Sequence, residues 1–218
     1  MTSKRCVYCG GVADTKDHIP SRNLFPKGAS NTSFLLVPSC GGCNNSFSKD
    51  EEYFRNLIVS MLYDESITAT YVADTAMTRS ITKRPALAWQ MFKKMSLVHF
   101  YRKGAYLGIR TAYHLADDDY PKVDHVLDKY TKALYFLHVG HILPDSWFTR
   151  HFWVTRKNES VFRPFFSSMT WITVKENVFG YSYWFETATK QGVLAPVFYG
   201  CAPFFTMIFE KEPQRVVA

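Results

Sequence analysis

The chain has 218 residues, of which 47% are hydrophobic and 17% aromatic, and its 26 Lys and Arg side chains against 19 Asp and Glu give a net charge of +7. This length and apolar content exclude a disordered chain, while the positive charge suits either a solvated surface or a polyanionic partner such as nucleic acid. No apolar run reaches the roughly 18 residues of a membrane span and the N-terminus lacks a secretory signal, so we expect a cytoplasmic protein with no membrane partner.

Two cysteine pairs mark the first part of the chain. Cys6 and Cys9 form one C-x2-C knuckle, and Cys40 and Cys43 form another. Two such knuckles supply the tetrahedral four-sulfur site that Zn²⁺ prefers. Two disulfides or an iron–sulfur cluster are the alternatives for this set of cysteines. The regular spacing and the missing signal favour a structural zinc ion, and Cys201, far downstream, is predicted to be a small buried hydrophobe.

Between and after the knuckles the sequence predicts two strands and a helix. A Gly-Gly turn leads to Asp-His-Ile-Pro at residues 17–20, and a loop over residues 21–33 precedes an apolar strand over residues 34–37. After the second knuckle, Ser-Lys-Asp-Glu at residues 48–51 matches a capping box, so a helix is expected to begin there. The apolar face of this helix comprises Tyr53, Leu57, Ile58, Met61 and Leu62.

This order of elements resembles the zinc-stapled subgroup of HNH endonucleases, which have the ββα-metal fold. The similarity covers roughly residues 4–55 and is carried by residues 17–20 and by Val-Pro-Ser-Cys-Gly-Gly-Cys-Asn at residues 37–44. In that family the first His is the general base, and the acid beside it binds the catalytic divalent metal. The resemblance therefore implies His18 as the base and Asp17 as a metal ligand, with Mg²⁺ or Mn²⁺ as the catalytic ion.

Other family positions have more than one candidate in this chain. The resemblance implies Asn44, or its neighbour Asn45, as the second metal ligand. The middle Asn of the family, which steadies the base, corresponds to Asn31 or Ser33, and Ser48 stands near the place of the final His. The sequence departs from the family pattern at these last two positions.

These residue types suit hydrolysis of a phosphodiester bond. The resemblance implies that DNA is the nucleic acid that is bound and cut. A neutral imidazole accepts a proton from the attacking water at neutral pH. A hard cation held by carboxylate and amide oxygens stabilises the charge that develops on the phosphate and on the departing oxygen. An isolated Asp-His dipeptide is more often part of a turn, and its place between two knuckles is what favours catalysis here.

The rest of the chain predicts a helical part followed by a sheet. Residues 65–84 are expected to be a polar connector, and a helix is expected from Pro85 through Val98. A second helix is predicted from residues 119–121, with Pro at its first position, to Gly140. After residue 150, short aromatic and β-branched runs predict an antiparallel sheet.

A basic segment lies between Asp74 and Asp117, where the sequence has eight Lys and Arg residues and no acid. Such residues either form a solvated face or neutralise phosphates, and we predict nucleic-acid contact through Lys93, Lys94, Arg102 and Lys103. Aromatic rings are interleaved with them, and we expect these rings to be core residues rather than surfaces that stack on bases: Trp89, Phe100, Tyr101 and Tyr106.

Together these patterns predict an α+β protein. A ββα-metal zinc module is expected over residues 1–64, and a helical region with a C-terminal antiparallel sheet over residues 65–218, the latter binding nucleic acid or a partner protein. The predicted activity is that of a metal-dependent endonuclease. The alternatives are a catalytically silent zinc module that binds nucleic acid, and a defence or toxin component whose C-terminal sheet exposes an apolar patch to a partner protein.

Overall fold

The computed structural model describes residues 5–28 and 34–210, and for Arg102 it describes the backbone alone. Asn31 and Ser33, the two candidates for the residue that steadies the base, lie outside the described residues. The helices are α1 (Gly41–Ser46), α2 (Ser48–Met61), α3 (Ile67–Val72), α4 (Thr78–Lys83), α5 (Pro85–Phe92), α6 (Tyr120–Val139) and α7 (Glu159–Ser168). The strands are β1 (Thr15–Ile19), β2 (Leu35–Ser39), β3 (Met95–Arg102), β4 (Ala105–Tyr113), β5 (Phe148–Trp153), β6 (Trp171–Lys175), β7 (Phe179–Glu186), β8 (Gln191–Phe198) and β9 (Ala202–Phe209).

The N-terminal part consists of a hairpin followed by helices. β1 and β2 pair antiparallel, with Asp17 opposite Val37 and His18 opposite Leu36. The Val7 backbone N–H donates to the Pro38 carbonyl at 3.0 Å and so joins the first knuckle to β2. Helix α1 starts within the second knuckle, so the order of elements is strand, strand, helix.

The predicted capping box at Ser48 is not formed. Ser48 is the first residue of α2, and Phe47 before it has helical backbone angles of φ −78° and ψ −19° and makes no side-chain cap. The Glu51 backbone N–H donates instead to the Phe47 carbonyl at 2.9 Å. Because the backbone stays helical from α1 through Phe47 into α2, a carbonyl accepts the bond that the serine hydroxyl was expected to accept.

The middle of the chain differs from the prediction in two places. Residues 65–84 were expected to be a connector, but they fold into α3, a π-helical segment at Ala73–Met77, and α4. The helix predicted from Pro85 through Val98 ends at Phe92, and β3 begins at Met95. The helical spacing of apolar residues is real up to Met91, but beyond it the β-branched and aromatic residues alternate, which favours a strand.

β3 and β4 form a separate two-stranded sheet. Lys103 and Gly104 connect them with positive φ angles of 51° and 83°, as a two-residue hairpin turn requires. Three of the four aromatic residues of this segment contradict the prediction that they are core residues, because Trp89, Tyr101 and Tyr106 are exposed, whereas Phe100 is half-buried. A two-stranded sheet cannot cover both of its faces, so side chains on one face remain in contact with solvent.

The C-terminal sheet is confirmed and has five antiparallel strands in the order β5-β9-β8-β7-β6. Helix α6 packs on one face, where Tyr135 contacts Phe185 with ring centroids 5.2 Å apart. Helix α7, which the sequence did not predict, packs on the other face, where Phe162 lies 4.7 Å from Phe205. The α+β fold class is thereby confirmed, and α7 covers part of the face on which an apolar docking patch was expected.

Cys201 is exposed rather than buried, which corrects its predicted role. It lies in the turn between β8 and β9, where Tyr199 and Gly200 have positive φ angles of 53° and 70°. The Cys201 backbone N–H donates to the Phe198 carbonyl at 3.1 Å and closes this turn. Its side chain therefore projects from a loop and not from the face of a strand.

Helix α6 joins the two parts of the chain. It has 20 residues, as predicted from its apolar stripe and its Pro and Gly ends, and Gly140 caps it with a φ of 81°. Buried side chains from α2, α6 and the C-terminal sheet form one continuous core, which includes Phe54, Tyr130 and Phe198. Across residues 5–28 and 34–210, no helix combines the length and apolar character needed to cross a membrane.

Candidate metal centre and active site

Four cysteine side chains converge beside the N-terminal hairpin. The ligand atoms of Cys6, Cys9, Cys40 and Cys43 all lie within 4.8 Å of one another, and the Sγ atoms of Cys9 and Cys40 are 3.8 Å apart. A tetrahedral Zn²⁺ with Zn–S bonds of about 2.3 Å places its sulfur ligands about 3.8 Å apart. The cluster therefore fits a zinc ion, and the predicted convergence of the four cysteines is confirmed.

Each knuckle is shaped by its own backbone hydrogen bonds. In the first knuckle the Cys6 N–H donates to the Gly11 carbonyl at 2.7 Å, and the Gly10 N–H donates to the Cys6 carbonyl at 2.9 Å. Gly10 adopts a φ of 72°, which a glycine reaches without strain. In the second knuckle Cys40 is the N-cap of α1, and its Sγ accepts the Cys43 backbone N–H at 3.4 Å. The Cys40 sulfur therefore caps the first turn of α1.

The thiols of the cluster differ in acidity. Burial acts to raise the pKa of Cys6, but hydrogen bonds from the backbone of Cys40, Tyr8 and Cys9 outweigh it and lower that pKa to about 6. Burial, and then hydrogen bonds with the neighbouring cysteine side chains, raise the pKa of Cys43. Thiolates so close together repel one another, so a divalent cation between them would stabilise the fully deprotonated set.

Asp17 and His18 lie next to each other on β1, with their side chains on opposite faces of the strand. The Asp17 side chain is buried, whereas His18 is half-buried. The His18 backbone N–H donates to Asp17 Oδ1 at 2.8 Å. The sequence placed this pair after the first strand, whereas the structure places it within the strand, where hairpin pairing fixes both backbones.

The Asp17 carboxylate has partners from both parts of the chain. The Tyr8 hydroxyl donates to Asp17 Oδ2 at 2.7 Å, and the Lys129 ammonium on α6 forms an ion pair with the same oxygen at 2.8 Å. Asp17 is 5% exposed and Lys129 only 1%. Because a buried carboxylate is tolerated only when it is paired and hydrogen-bonded, Lys129 and Tyr8 are the partners that the buried Asp17 side chain requires.

This ion pair extends into a longer buried network. Lys129 also donates to Glu51 of α2, and the Ser21 hydroxyl donates to the same Glu51 oxygen. The Ser21 and Tyr130 hydroxyls lie 3.0 Å apart. The network therefore joins the residues just after β1 to α2 and α6 through polar contacts at the centre of the fold.

The environment of His18 favours a neutral imidazole. Burial lowers its pKa first, and the nearby Arg22 guanidinium lowers it further, while Asp17 acts in the opposite direction. The His18 ring meets Phe34 edge to face, with centroids 5.2 Å apart. The Phe34 ring therefore covers one side of the imidazole.

The asparagine candidates lie on α1. The Asn44 side chain is half-buried and Asn45 is exposed, and the Asn44 backbone N–H donates to the Cys40 carbonyl at 3.0 Å. Near them, His125 Nδ1 of α6 lies 2.6 Å from Asp50 Oδ2, and its ring packs 4.6 Å from that of Phe47. Helix α6 thus faces the N-terminal module with two polar side chains, His125 and Lys129.

The four predicted nucleic-acid contacts divide into different classes. Lys93 and Lys103 are exposed. For Arg102 the structure describes only the backbone. Lys94 is buried and pairs with Asp118 at 2.7 Å and with Asp119. Its assignment to a nucleic-acid surface is therefore corrected, because two acids from just beyond the basic segment neutralise it.

Sequence reasoning missed Lys129, Glu51 and Tyr8 as partners of the Asp17 carboxylate. For Lys129 a signal was present, since it lies three residues after Val126 and next to Tyr130, within the apolar stripe of α6. A lysine on a buried stripe requires a buried acid nearby. The identity of that acid follows from the packing of α6 on β1, which the sequence did not predict.

Comparison of the chain with protein-family models, with curated proteins and with solved structures gave no match. The cysteine cluster and the α+β fold are therefore shown by the structure itself.

Proposed function

We propose that the chain is a metal-dependent endonuclease of the HNH kind that hydrolyses phosphodiester bonds in DNA. The observation that supports this most is the combination of the four-cysteine cluster with Asp17 and His18 on β1, a strand paired with the strand that leads into the second knuckle. Zinc at the cluster would fix the hairpin against α1. The resemblance over residues 4–55 supplies the roles of the individual side chains.

His18 is the general base in this proposal. The base must hold a fixed orientation and accept the proton of the attacking water. Phe34 packs edge to face against the ring, and the hydrogen bond from the His18 backbone N–H to Asp17 Oδ1 links the backbone of the base to the carboxylate. The strand carries both residues, so they keep their relative position when substrate binds.

Asp17 and Asn44 would hold the catalytic cation, which supplies positive charge to the phosphate and to the departing oxygen. Both residues offer the hard oxygen ligands that Mg²⁺ and Mn²⁺ prefer. Asp17 Oδ2 is engaged by Tyr8 and Lys129, whereas Oδ1 accepts the adjacent His18 N–H and keeps a second lone pair. The carboxylate therefore suits a cation bound through one oxygen, with Lys129 orienting it from the other.

A second candidate function is a zinc module that binds nucleic acid without cutting it. The ion pair between Lys129 and Asp17 favours this candidate, because the ammonium already neutralises the charge that would attract a divalent cation. In that case the buried network serves the fold alone. Loss of the final His of the family pattern, with Ser48 near its place, agrees with this candidate as well.

A cleavage assay that compares the wild-type protein with the His18→Ala variant separates these two candidate functions. Plasmid DNA, single-stranded DNA and RNA would be incubated with Mg²⁺, with Mn²⁺ and with no added metal. We expect His18→Ala to lower the cleavage rate by roughly 10²- to 10⁴-fold, the usual contribution of a general base, while zinc content and affinity stay near wild type. The exposed His141→Ala is the matched control.

Two outcomes would contradict the nuclease. Wild-type protein that binds nucleic acid but cuts none of these substrates with either metal would support the silent module. Cleavage that survives His18→Ala at the wild-type rate would show that another group is the base.

A further inference from the structure

The β3–β4 hairpin has an outward face built of rings and apolar side chains. Cross-strand pairs put Leu97 opposite Thr111, His99 opposite Ile109, and Tyr101 opposite Tyr106, so these side chains share one face. We call this set the outer face. Leu97 is 75% exposed, Ile109 58%, Tyr101 60% and Tyr106 52%. Large side chains that project together into solvent mark a binding surface rather than a core.

A bulge in β4 brings the tyrosines together. The register shifts between His99 and Tyr101, so their partners are Ile109 and Tyr106, three positions apart instead of two. Gly108 lies in this extra step with a φ of 105°, which a glycine adopts without strain. Without the bulge, Leu107 rather than Tyr106 would be opposite Tyr101. The backbone therefore places a second tyrosine on the outer face.

The rings of the outer face form a continuous group. The Tyr101 and Tyr106 centroids are 5.3 Å apart, and those of His99 and Tyr106 are 5.7 Å apart. His99 Nδ1 also lies 3.3 Å from the Tyr106 hydroxyl. Val98 and Phe100 of the opposite face line a cavity of about 650 Å³ together with Met61 and Met77, and Ile109 and Thr111 line it as well. Leu97, Tyr101 and Tyr106 are not among its lining residues and are exposed, so they are the side chains that can meet a partner.

Charge indicates which partner fits. No acidic residue occurs between Asp74 and Asp117, so no carboxylate of this segment would repel a phosphate. Lys103 lies in the hairpin turn beside the tyrosines, and Lys93 is exposed just before β3. Exposed rings next to lysines are the combination that binds single-stranded nucleic acid, in which bases stack on rings and cations contact the backbone.

We infer that the outer face is a stacking platform for unpaired bases of a nucleic acid. The inference rests on the proposed function for its class of substrate and adds that the substrate is single-stranded, or locally unpaired, where it meets the hairpin. A stacked base contributes affinity with little dependence on its identity, because every base has a flat face. The platform would thus bind a single strand with little preference for its base sequence.

Fluorescence anisotropy with labelled 20-nucleotide oligo(dT), oligo(U) and a 20-base-pair DNA duplex tests this, with no divalent cation added so that nothing is cut. We expect Tyr101→Ala/Tyr106→Ala to weaken oligo(dT) binding by about 30-fold or more, as the loss of stacking on two rings predicts, and duplex binding by less than threefold. Tyr101→Phe/Tyr106→Phe keeps both rings and should bind like wild type. Tyr71→Ala/Tyr120→Ala removes two exposed tyrosines elsewhere and is the matched control.

The comparison of oligo(U) with oligo(dT) shows whether the platform prefers RNA or DNA. Equal losses for oligo(dT) and duplex, or no loss, would overturn the inference, as would wild-type protein that does not bind the single strands. If the tyrosine variant instead changes the sedimentation mass while affinity is unchanged, the outer face is a contact between copies of this chain.

Failure of the nuclease proposal would look different. A wild-type protein that cuts nothing but loses oligo(dT) binding in the tyrosine variant keeps the platform and refutes the nuclease. A wild-type protein that cuts while the tyrosine variant binds normally keeps the nuclease and refutes the platform.

Discussion

The N-terminal hairpin and the β3–β4 hairpin are both two-stranded, yet they are held in different ways. β1 and β2 are joined to a four-cysteine cluster and to a buried ion pair, so their side chains have fixed partners. The outer rings of β3 and β4 contact one another and face solvent. Fixed partners suit bond breaking, which needs atoms positioned to a fraction of an ångström, whereas exposed rings can adjust to a flexible strand.

The largest effect on the N-terminal hairpin is expected from a substitution in the cysteine cluster. Cys40→Ser removes one of the four thiolates, while the serine hydroxyl can still cap α1. Zinc binding to such sites is worth about 10–16 kcal/mol and is coupled to folding, so we expect the variant to lose its zinc and the order of the N-terminal hairpin. Elemental analysis and hydrogen exchange measure both effects.

The matched control for this cysteine is Cys201→Ser, which changes an exposed thiol in a loop and should leave zinc content and exchange unchanged. Iron in place of zinc in the purified protein, or a Cys40→Ser variant that keeps one zinc ion per chain, would contradict the assignment.

Lys129 provides the next largest effect. Lys129→Met keeps the length of the side chain but leaves the buried Asp17 and the half-buried Glu51 without their cation. Breaking a buried ion pair in this way costs about 3–5 kcal/mol, so we expect urea denaturation to show a loss of that size. Lys132→Met, on the same helix at a half-buried position, should cost less than 1 kcal/mol, as substitutions outside such pairs usually do.

A double variant identifies the cause of the loss. Adding Glu51→Gln to Lys129→Met removes one of the two uncompensated charges, so the free energy of unfolding should recover in part. If the double variant is as unstable as the sum of the single ones, the effect of Lys129→Met comes from packing rather than from charge.

The two hairpins also differ in how much of them could be predicted from the sequence. The convergence of the four cysteines could be predicted because C-x2-C spacing constrains each pair locally, and one tetrahedral zinc ion requires both pairs. Residues 95–113 were predicted as the end of a helix and a basic surface. The spacing of apolar residues is helical up to Met91 and changes to the alternation of a strand only after it, so the helix was extended too far. Lys94 shows the same limit, since its partners Asp118 and Asp119 lie outside the acid-free segment and reach it only through the fold.

Gly108 connects the shape of the β3–β4 hairpin to its proposed binding. Its φ of 105° is strained for any other residue, although no atom lies within 4 Å of an added Cβ, so crowding is not the cause. We expect Gly108→Ala to cost about 1–3 kcal/mol and to weaken oligo(dT) binding, because relieving the strain moves Tyr106 off the outer face.

The control for Gly108 is Gly104→Asn, since asparagine tolerates the positive φ of a hairpin turn and should change neither quantity by much. Gly108→Ala with unchanged binding would show that the bulge does not set the position of Tyr106.

The smallest effect concerns the exposed lysines beside the outer face. Lys93→Gln/Lys103→Gln removes two cations without adding a negative charge. A contact with single-stranded nucleic acid contributes about 0.7 to the slope of log affinity against log salt, so losing two should flatten that slope by about 1.4. Lys157→Gln, which changes an exposed lysine near the C-terminal sheet, should leave the slope unchanged.

Lys94→Gln should lower the free energy of unfolding and leave the salt slope unchanged, because this lysine is buried between acids. A slope that changes with Lys94→Gln and not with the two exposed lysines would mean that nucleic acid meets another surface.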